Sequence, residues 1–292
     1  MPISINRRSV LALAGAAAML ASACAGGGSA SSDASQPSSS AGASSATARL
    51  QTVTPGKLTI ATGEPAFSPW VENDAPESGE GFEAAVAYAV ADQLGFAEGD
   101  VVWKRTTFDA AIAPGPKEWD FNLQQYSITE ERRKAVDFSS PYYVTAQAVV
   151  TMQGSAAAGA TSIADLANVR FGVQAATSSQ RIVADIVKPS TPALIFNNSV
   201  DVVQALKNQQ IEAIVVDLPT ALYLVAAELE QAEVVGQFED TQGGDEFALV
   251  LPKGSVLTQP VTEAVDALRA DGTLAKLEQE WLSDSVNVPV LR

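Results

Sequence analysis

The sequence predicts an α/β protein whose two lobes face each other across a cleft and are joined by two hinge strands. Three observations carry that prediction. Short apolar runs alternate with amphipathic helical segments along most of the chain, the pattern of sheets covered by helices on both faces. Two longer apolar extended runs, Val144 to Met152 and Phe247 to Leu251, are placed to leave one lobe and to return to it. Polar, hydroxyl-rich loops follow the strands, and in parallel sheets of this kind ligands bind beyond the carboxyl ends of the strands.

The chain has 292 residues, 47% of them hydrophobic, enough to bury a core in one or two domains. Its formal net charge of −16 excludes a nucleic-acid role, which needs a basic stripe to neutralise phosphates. The sequence contains no histidine and a single cysteine. Histidine-based triads and histidine acid–base catalysis are therefore excluded, as are the usual zinc and copper ligand sets, and only an all-oxygen calcium or magnesium site stays open. No metal and no cofactor is expected.

At the amino end, Arg7 and Arg8 precede an alanine-rich apolar run, Val10 to Leu20, that is too short to span a bilayer. Residues 1–23 read as a signal peptide. The only cysteine, Cys24, follows Ala21-Ser22-Ala23, which resembles the lipobox at which bacterial lipoproteins are cleaved and acylated, although Leu20 stands one place early. Arg7-Arg8-Ser9 also resembles a twin-arginine export signal, so the export route stays open. Residues 24–55 are dominated by Gly, Ser and Ala and bury too little to offset their ordering entropy; they read as a tether between membrane and domain.

The folded part begins with a strand at Leu58-Thr59-Ile60, left by the loop Gly63 to Trp70. This proline-stiffened loop places Glu64, Phe67 and Trp70 at a strand end, where the aromatics serve either a ligand or lid and core packing. A helix is expected from Gly81 to Leu94, stopped by Gly95, then a strand at Val101 to Lys104, a short segment opened by Phe108, and a return to the sheet at Trp119 to Leu123. The stretch Ser127 to Tyr143 follows, with Thr129 as expected N-cap of a helical turn that carries Arg132. Beyond the first crossing come a strand at Val169 to Val173 with the loop Gln174 to Ser179 and a helix, then a strand at Ile195-Phe196 with Ser199 as expected N-cap of a helix. A strand at Ile211 to Val216 ends on Asp217 and leads to a helix from Thr220 to Leu229. Two helices, Val261 to Ala270 and Leu274 to Leu282, close the chain. The lobes are assigned as residues 56–149 with 246–292, and residues 150–245.

The segments Ser127-Ile128-Thr129-x-x-Arg132, Val136-Asp137-Phe138-Ser139-x-Pro141-Tyr142-Tyr143, Gly172-Val173-Gln174, Ala205-Leu206-Lys207-Asn208, Val215-Val216-Asp217 and Ala270-Asp271-Gly272-Thr273 stand in this order from about Lys57 to Leu282. Together they resemble the extracytoplasmic solute-binding proteins of ABC importers that take up polar amino acids. The resemblance implies the type II periplasmic-binding-protein fold, an amino acid held between the lobes, and delivery to a permease by a monomer.

Carried over residue by residue, Arg132 is similar to the arginine that grips the ligand carboxylate as a bidentate fork, with Ser127 in support. Taken alone, Arg132 reads as a surface ion-pair partner of Glu130 or Glu131, and the surrounding motif turns the reading to the ligand. Thr177 and Ser178 correspond to the second lobe's donors to the same carboxylate, or else to ordinary capping residues. Asp217 resembles the acid that binds the ligand ammonium, its alternative being a helix cap. Phe67 and Phe108 resemble the aromatics that sandwich the ligand side chain, and Glu64 an acid that reads its tip. Gln124-Gln125-Tyr126 stands where the family commonly has small residues, and Ala113-Pro114-Gly115-Pro116-Lys117 replaces part of a helix; both border the side-chain end, where glutamines either satisfy a polar ligand or bond to the backbone. Two rival readings are an enzyme on the same scaffold, similar to periplasmic dehydratases, with Glu64 as the spare acid–base group, and a ligand sensor that feeds a partner protein.

Overall fold

The computed structural model describes residues 50–239, 245–282 and 288–292. The signal peptide, Cys24 and the tether as far as Arg49 lie outside the described residues.

Strands β1 (Leu58–Gly63), β2 (Val101–Thr106), β3 (Phe121–Asn122), β4 (Val136–Thr145) and β10 (Asp245–Pro252) form a first sheet in the order β2-β1-β3-β10-β4. A second sheet, ordered β11-β9-β5-β8-β6-β7, contains β5 (Gln147–Met152), β6 (Phe171–Gln174), β7 (Leu194–Phe196), β8 (Ala213–Asp217), β9 (Ala232–Phe238) and β11 (Val290–Leu291). The helices are α1 (Phe82–Gln93), α2 (Phe108–Ile112), α3 (Ser178–Ile182), α4 (Ser199–Lys207), α5 (Leu218–Tyr223), α6 (Thr258–Ala270) and α7 (Thr273–Trp281).

Strand periodicity explains why both sheets are covered on both faces. In β5, Ala148 and Val150 join a cluster with Leu206 of α4 and Leu224, while Val149 points the other way into a cluster with Phe171 and Val183. In β10, Phe247, Leu249 and Leu251 pack with Phe82 and Val86 of α1 and Val261 of α6, and the intervening Ala248 and Val250 pack with Phe108 and Tyr126. Near-continuous apolar runs are what strands buried on two faces require.

The fold departs from the sequence expectation in instructive ways. The sheets are mixed rather than parallel: β1 pairs in parallel with β2 and β3, but β10 runs antiparallel to β3 and β4, and β5 antiparallel to β8 and β9. A strand that enters a lobe from its neighbour arrives without a crossover helix, and so inserts antiparallel. The single hinge strand expected over Val144 to Met152 is divided at Ala146, with β4 in the first sheet and β5 in the second. The sheet boundary thus precedes Gln147, not residue 150. The return run Phe247 to Leu251 lies inside β10, which starts at Asp245. Residues 246–292 do not all stay with the first lobe, because Val290 and Leu291 add β11 beside β9 in the second sheet. Asn198, not Ser199, caps α4; its side chain accepts the backbone N–H of Asp201 at 2.9 Å.

Candidate functional site

Where the end of β1, the loops after β1 and β3 and Phe247 of β10 approach α3, α4 and α5, the chain forms a cavity of about 480 Å³. Phe67, Trp70, Phe108, Gln125, Ser127, Arg132, Thr177, Ser178 and Asp217 all line it. Nine of the ten ligand-contact positions expected from the sequence are thereby brought together. The tenth, Glu64, is exposed and is not among the residues lining the cavity. Pro65, Ala66 and Phe67, which follow it, do line the cavity, so the position of Glu64 does not support its expected contact with the ligand's side-chain tip.

Arg132 occupies one end. It follows a turn in which Thr129 Oγ1 accepts the Arg132 backbone N–H at 3.1 Å, the capping role expected for that threonine. The arginine is only 8% exposed and forms no ion pair among the described residues, whereas its neighbour Arg133 pairs with Glu130 at 3.5 Å. Its guanidinium donates from Nη1 to Ser127 O and from Nη2 to Ala176 O, each at 2.7 Å, and lies 5.3 Å from the centre of the Phe108 ring. Ser127 belongs to the first lobe and Ala176 to the loop after β6, so one cation bridges the two. Burial holds the guanidinium down at about 10, still fully charged at neutral pH. A guanidinium has five N–H donors, which leaves three after the two carbonyl bonds, sufficient for a fork to a carboxylate.

The hydroxyls around Arg132 come from both lobes. Ser127 Oγ lies 3.4 Å from Ser178 Oγ, and Thr177 caps α3 by accepting from Gln180 N at 3.2 Å. Thr177 therefore does serve as a cap, as its plainer reading had it, while also lining the cavity. Ser178 donates to Asp245 Oδ2 at 2.9 Å, and Gln147 Nε2 donates to the same oxygen at 2.7 Å. Asp245 and Gln147 were missed from the sequence. The one signal for Gln147 was its being a polar residue inside an apolar extended run; Asp245, at the start of β10, gave none.

Asp217 stands at the end of β8 and caps α5, accepting from Thr220 N at 3.0 Å. Capping occupies one lone pair of a group that has about four. Desolvation raises this carboxyl to about 6, with Asp245 nearby adding to the shift, so the ionised form is held at a cost that a cation would relieve. Beside it, Trp70 Nε1 donates to Thr220 Oγ1 at 2.8 Å, a second bridge between the lobes. Trp70 is 1% exposed and packs edge-on against Phe82, Tyr143 and Phe247, so its ring belongs to the core while its indole N–H reaches the cleft. Phe67 is 39% exposed at the rim, and Phe108 stacks on Tyr126 at 4.8 Å. Gln125 lines the cavity, but its amide nitrogen is bound to Glu83 Oε2 at 2.5 Å, a partner not foreseen from the sequence.

Two non-glycine residues with left-handed backbone, Gln125 (φ 50) and Ala176 (φ 63), sit in the two loops that flank Arg132. Such conformations persist where the surroundings over-determine them, and they concentrate at binding sites.

A probable histidine-binding protein from Campylobacter jejuni is 28% identical over 197 residues, covering 66% of this chain and 72% of that protein. Among solved structures, an ancestral arginine-binding protein bound to glutamine superimposes with a TM-score of 0.66 at 30% identity, covering 78% of this chain and 98% of the other. The ancestral amino acid-binding protein AncCDT-1, a precursor of cyclohexadienyl dehydratase, gives 0.64 at 27% identity, covering 78% and 96%. Residues 58–284 match a single family along their whole extent, and on that match the chain belongs to the bacterial extracellular solute-binding proteins, family 3.

Proposed function

We propose that this protein is an extracytoplasmic receptor that encloses a free amino acid between its lobes and delivers it to the permease of an ABC transporter. One observation carries the reading: a buried arginine with spare donors and a desolvated carboxyl line the same cavity. Together they complement a zwitterion, whose carboxylate would take the Arg132, Ser127, Thr177 and Ser178 donors and whose ammonium would take Asp217. The aromatic walls Phe67 and Phe108 supply apolar area for the side chain. Because the donors to the carboxylate come from both lobes, ligand and closure stabilise each other.

Binding without turnover is favoured over the dehydratase-like alternative. Glu64, the acid–base candidate for that chemistry, lies off the cavity, and the similar proteins carry names of binding proteins. Lipid anchoring through Cys24 and a monomeric state complete the proposal. No helix among the described residues is long and apolar enough to cross a membrane.

The test is a thermal-shift screen against the common amino acids and several other small organic acids. A ligand at a hundredfold excess over Kd stabilises the fold by about 2.7 kcal/mol. Stabilisation by one or a few amino acids is the expected outcome, and a response only to acids lacking an α-ammonium group would overturn the reading.

A further inference from the structure

Behind the cleft, α1 carries the carboxylate that binds the Gln125 amide and does not itself line the cavity. Glu83 is 1% exposed. Its Oε1 accepts the backbone N–H of Gln125 at 2.7 Å, and its Oε2 accepts Gln125 Nε2 at 2.5 Å. The Tyr142 hydroxyl donates to Oε1 as well. One side chain thus holds both the main chain and the side chain of a cavity-lining residue whose φ is 50.

All three neighbours present a hydrogen to Glu83. The ionised carboxylate accepts from each, whereas a protonated one has a hydrogen that neither Gln125 N–H can accept and that only the Tyr142 hydroxyl could take, by giving up its own bond to Glu83. Desolvation raises the group to about 7, opposed by the bonds from Tyr142 and Gln125. The charged and titratable groups that face it are the Tyr142 hydroxyl from β4, Tyr126 beside Gln125, and Asp217 at the end of β8. None of these is a cation, so the Gln125 and Tyr142 hydrogen bonds are what sustain the charge.

We propose that Glu83 is a positioning residue for ligand binding: in its ionised form it fixes the left-handed turn at Gln125 and the orientation of the Gln125 amide. With the amide nitrogen engaged, the side-chain carbonyl is the acceptor that Gln125 has to offer. The same turn leads directly into Ser127, whose carbonyl orients Arg132. A carboxylate outside the cleft thereby governs both a polar wall of the cavity and the approach to its arginine. The inference rests on the amino-acid receptor reading for its effect on affinity, but not for its effect on Gln125.

The test compares the full chain with Glu83→Gln and Gln125→Ala, using isotope-labelled glutamine and nuclear magnetic resonance. The Gln125→Ala spectrum assigns the Gln125 signals by their loss. In the wild type, the backbone and side-chain N–H signals of Gln125 are expected to titrate together with a midpoint near 7. In Glu83→Gln that titration is expected to vanish, and calorimetry with L-arginine and L-glutamine should show binding weakened at least about tenfold for whichever probe the wild type binds. Gln125 signals that ignore pH between about 5.5 and 8.5, or a folded Glu83→Gln with wild-type affinity, would overturn the proposal. The wild-type titration decides the matter even if Glu83→Gln does not fold. A wild type that binds neither probe counts against an arginine or glutamine receptor, while the titration still judges the role of Glu83.

Discussion

Removing Arg132 tests the site at its most informative point, because the guanidinium holds backbone and ligand at once. Two of its five donors go to Ser127 O and Ala176 O at 2.7 Å, which leaves three in a residue that lines the cavity. Arg132→Ala would leave a ligand carboxylate desolvated without its counter-charge, a loss of about 3 to 5 kcal/mol, or roughly two to three and a half orders of magnitude in Kd. Arg132→Lys keeps the charge, but its ammonium is a point donor that cannot fork to a carboxylate while reaching both carbonyls. One or two charge-assisted bonds are lost, and a fall of about ten- to a hundredfold follows. Both variants also strip partners from two backbone carbonyls, so melting points must be recorded and affinities measured well below them. Isothermal titration with the amino acid identified by the screen gives Kd directly. An Arg132→Ala protein that is folded and within threefold of wild-type affinity would refute the carboxylate role, and with it the cross-lobe logic of the cleft.

Acidification should weaken binding: the free Asp217 carboxyl, raised to about 6, must be ionised to meet an ammonium, so affinity rises with pH through 6 and falls about tenfold from pH 7 to pH 5. Glu83, raised to about 7, adds to the slope in the same direction, and titration calorimetry across this range would expose a flat profile if the assignment were wrong. Asp217→Asn keeps an oxygen to accept Thr220 N–H while deleting the charge, and binding should fall at least about thirtyfold. Its thermal stability at pH 7 should equal or exceed that of the wild type, since a carboxyl raised on folding stabilises the fold only in its protonated form, and that contribution is lost as pH rises through 6. Trp70→Phe removes the donor to Thr220 Oγ1 and part of a buried ring, which should lower stability by about 1 to 3 kcal/mol and affinity several-fold; unchanged affinity would separate that bridge from closure.

What could be read from the sequence was what depends on local order. Thr129, Arg132, Thr177 and Asp217 each follow a strand or open a helical turn, and end-of-strand positions can be located from apolar runs alone. Glu83 was invisible for the opposite reason. It lies within the α1 pattern, one place after Phe82, and nothing in that spacing shows that a loop forty residues later will bring two N–H donors to it. Gly81 gives the matching backbone case: its φ is 100 and an added Cβ would fall 2.6 Å from Trp70 O, a close approach between segments that periodicity does not encode. The sheets were misjudged as parallel because alternating strands and helices fix the neighbours within a lobe, whereas β5 and β10 arrive from the other lobe. Glu64 was misplaced by counting along a loop whose course depends on packing rather than spacing.

The charges of the cleft also explain why so acidic a chain keeps an arginine at the centre of its site. With 34 acidic and 18 basic residues, the surrounding field favours cations and disfavours a free carboxylate. A zwitterion escapes that penalty only if its two ends are separated and each meets the opposite sign. Arg132 and Asp217 are held by different elements, the first by the turn before β4 and the second by the end of β8. Asp245, bonded to Ser178 and Gln147 near the arginine, raises Asp217 as a like charge and opposes the depression of Arg132. The result is a site whose anion-binding end sets the buried Arg132 guanidinium among hydroxyls from both lobes. Under the proposed function, a ligand carboxylate at Arg132 would also meet Ser127 and Ser178, whose hydroxyls lie 3.4 Å apart across the two lobes. On that reading, selection for the amino-acid backbone and closure of the cleft would follow from the same few atoms.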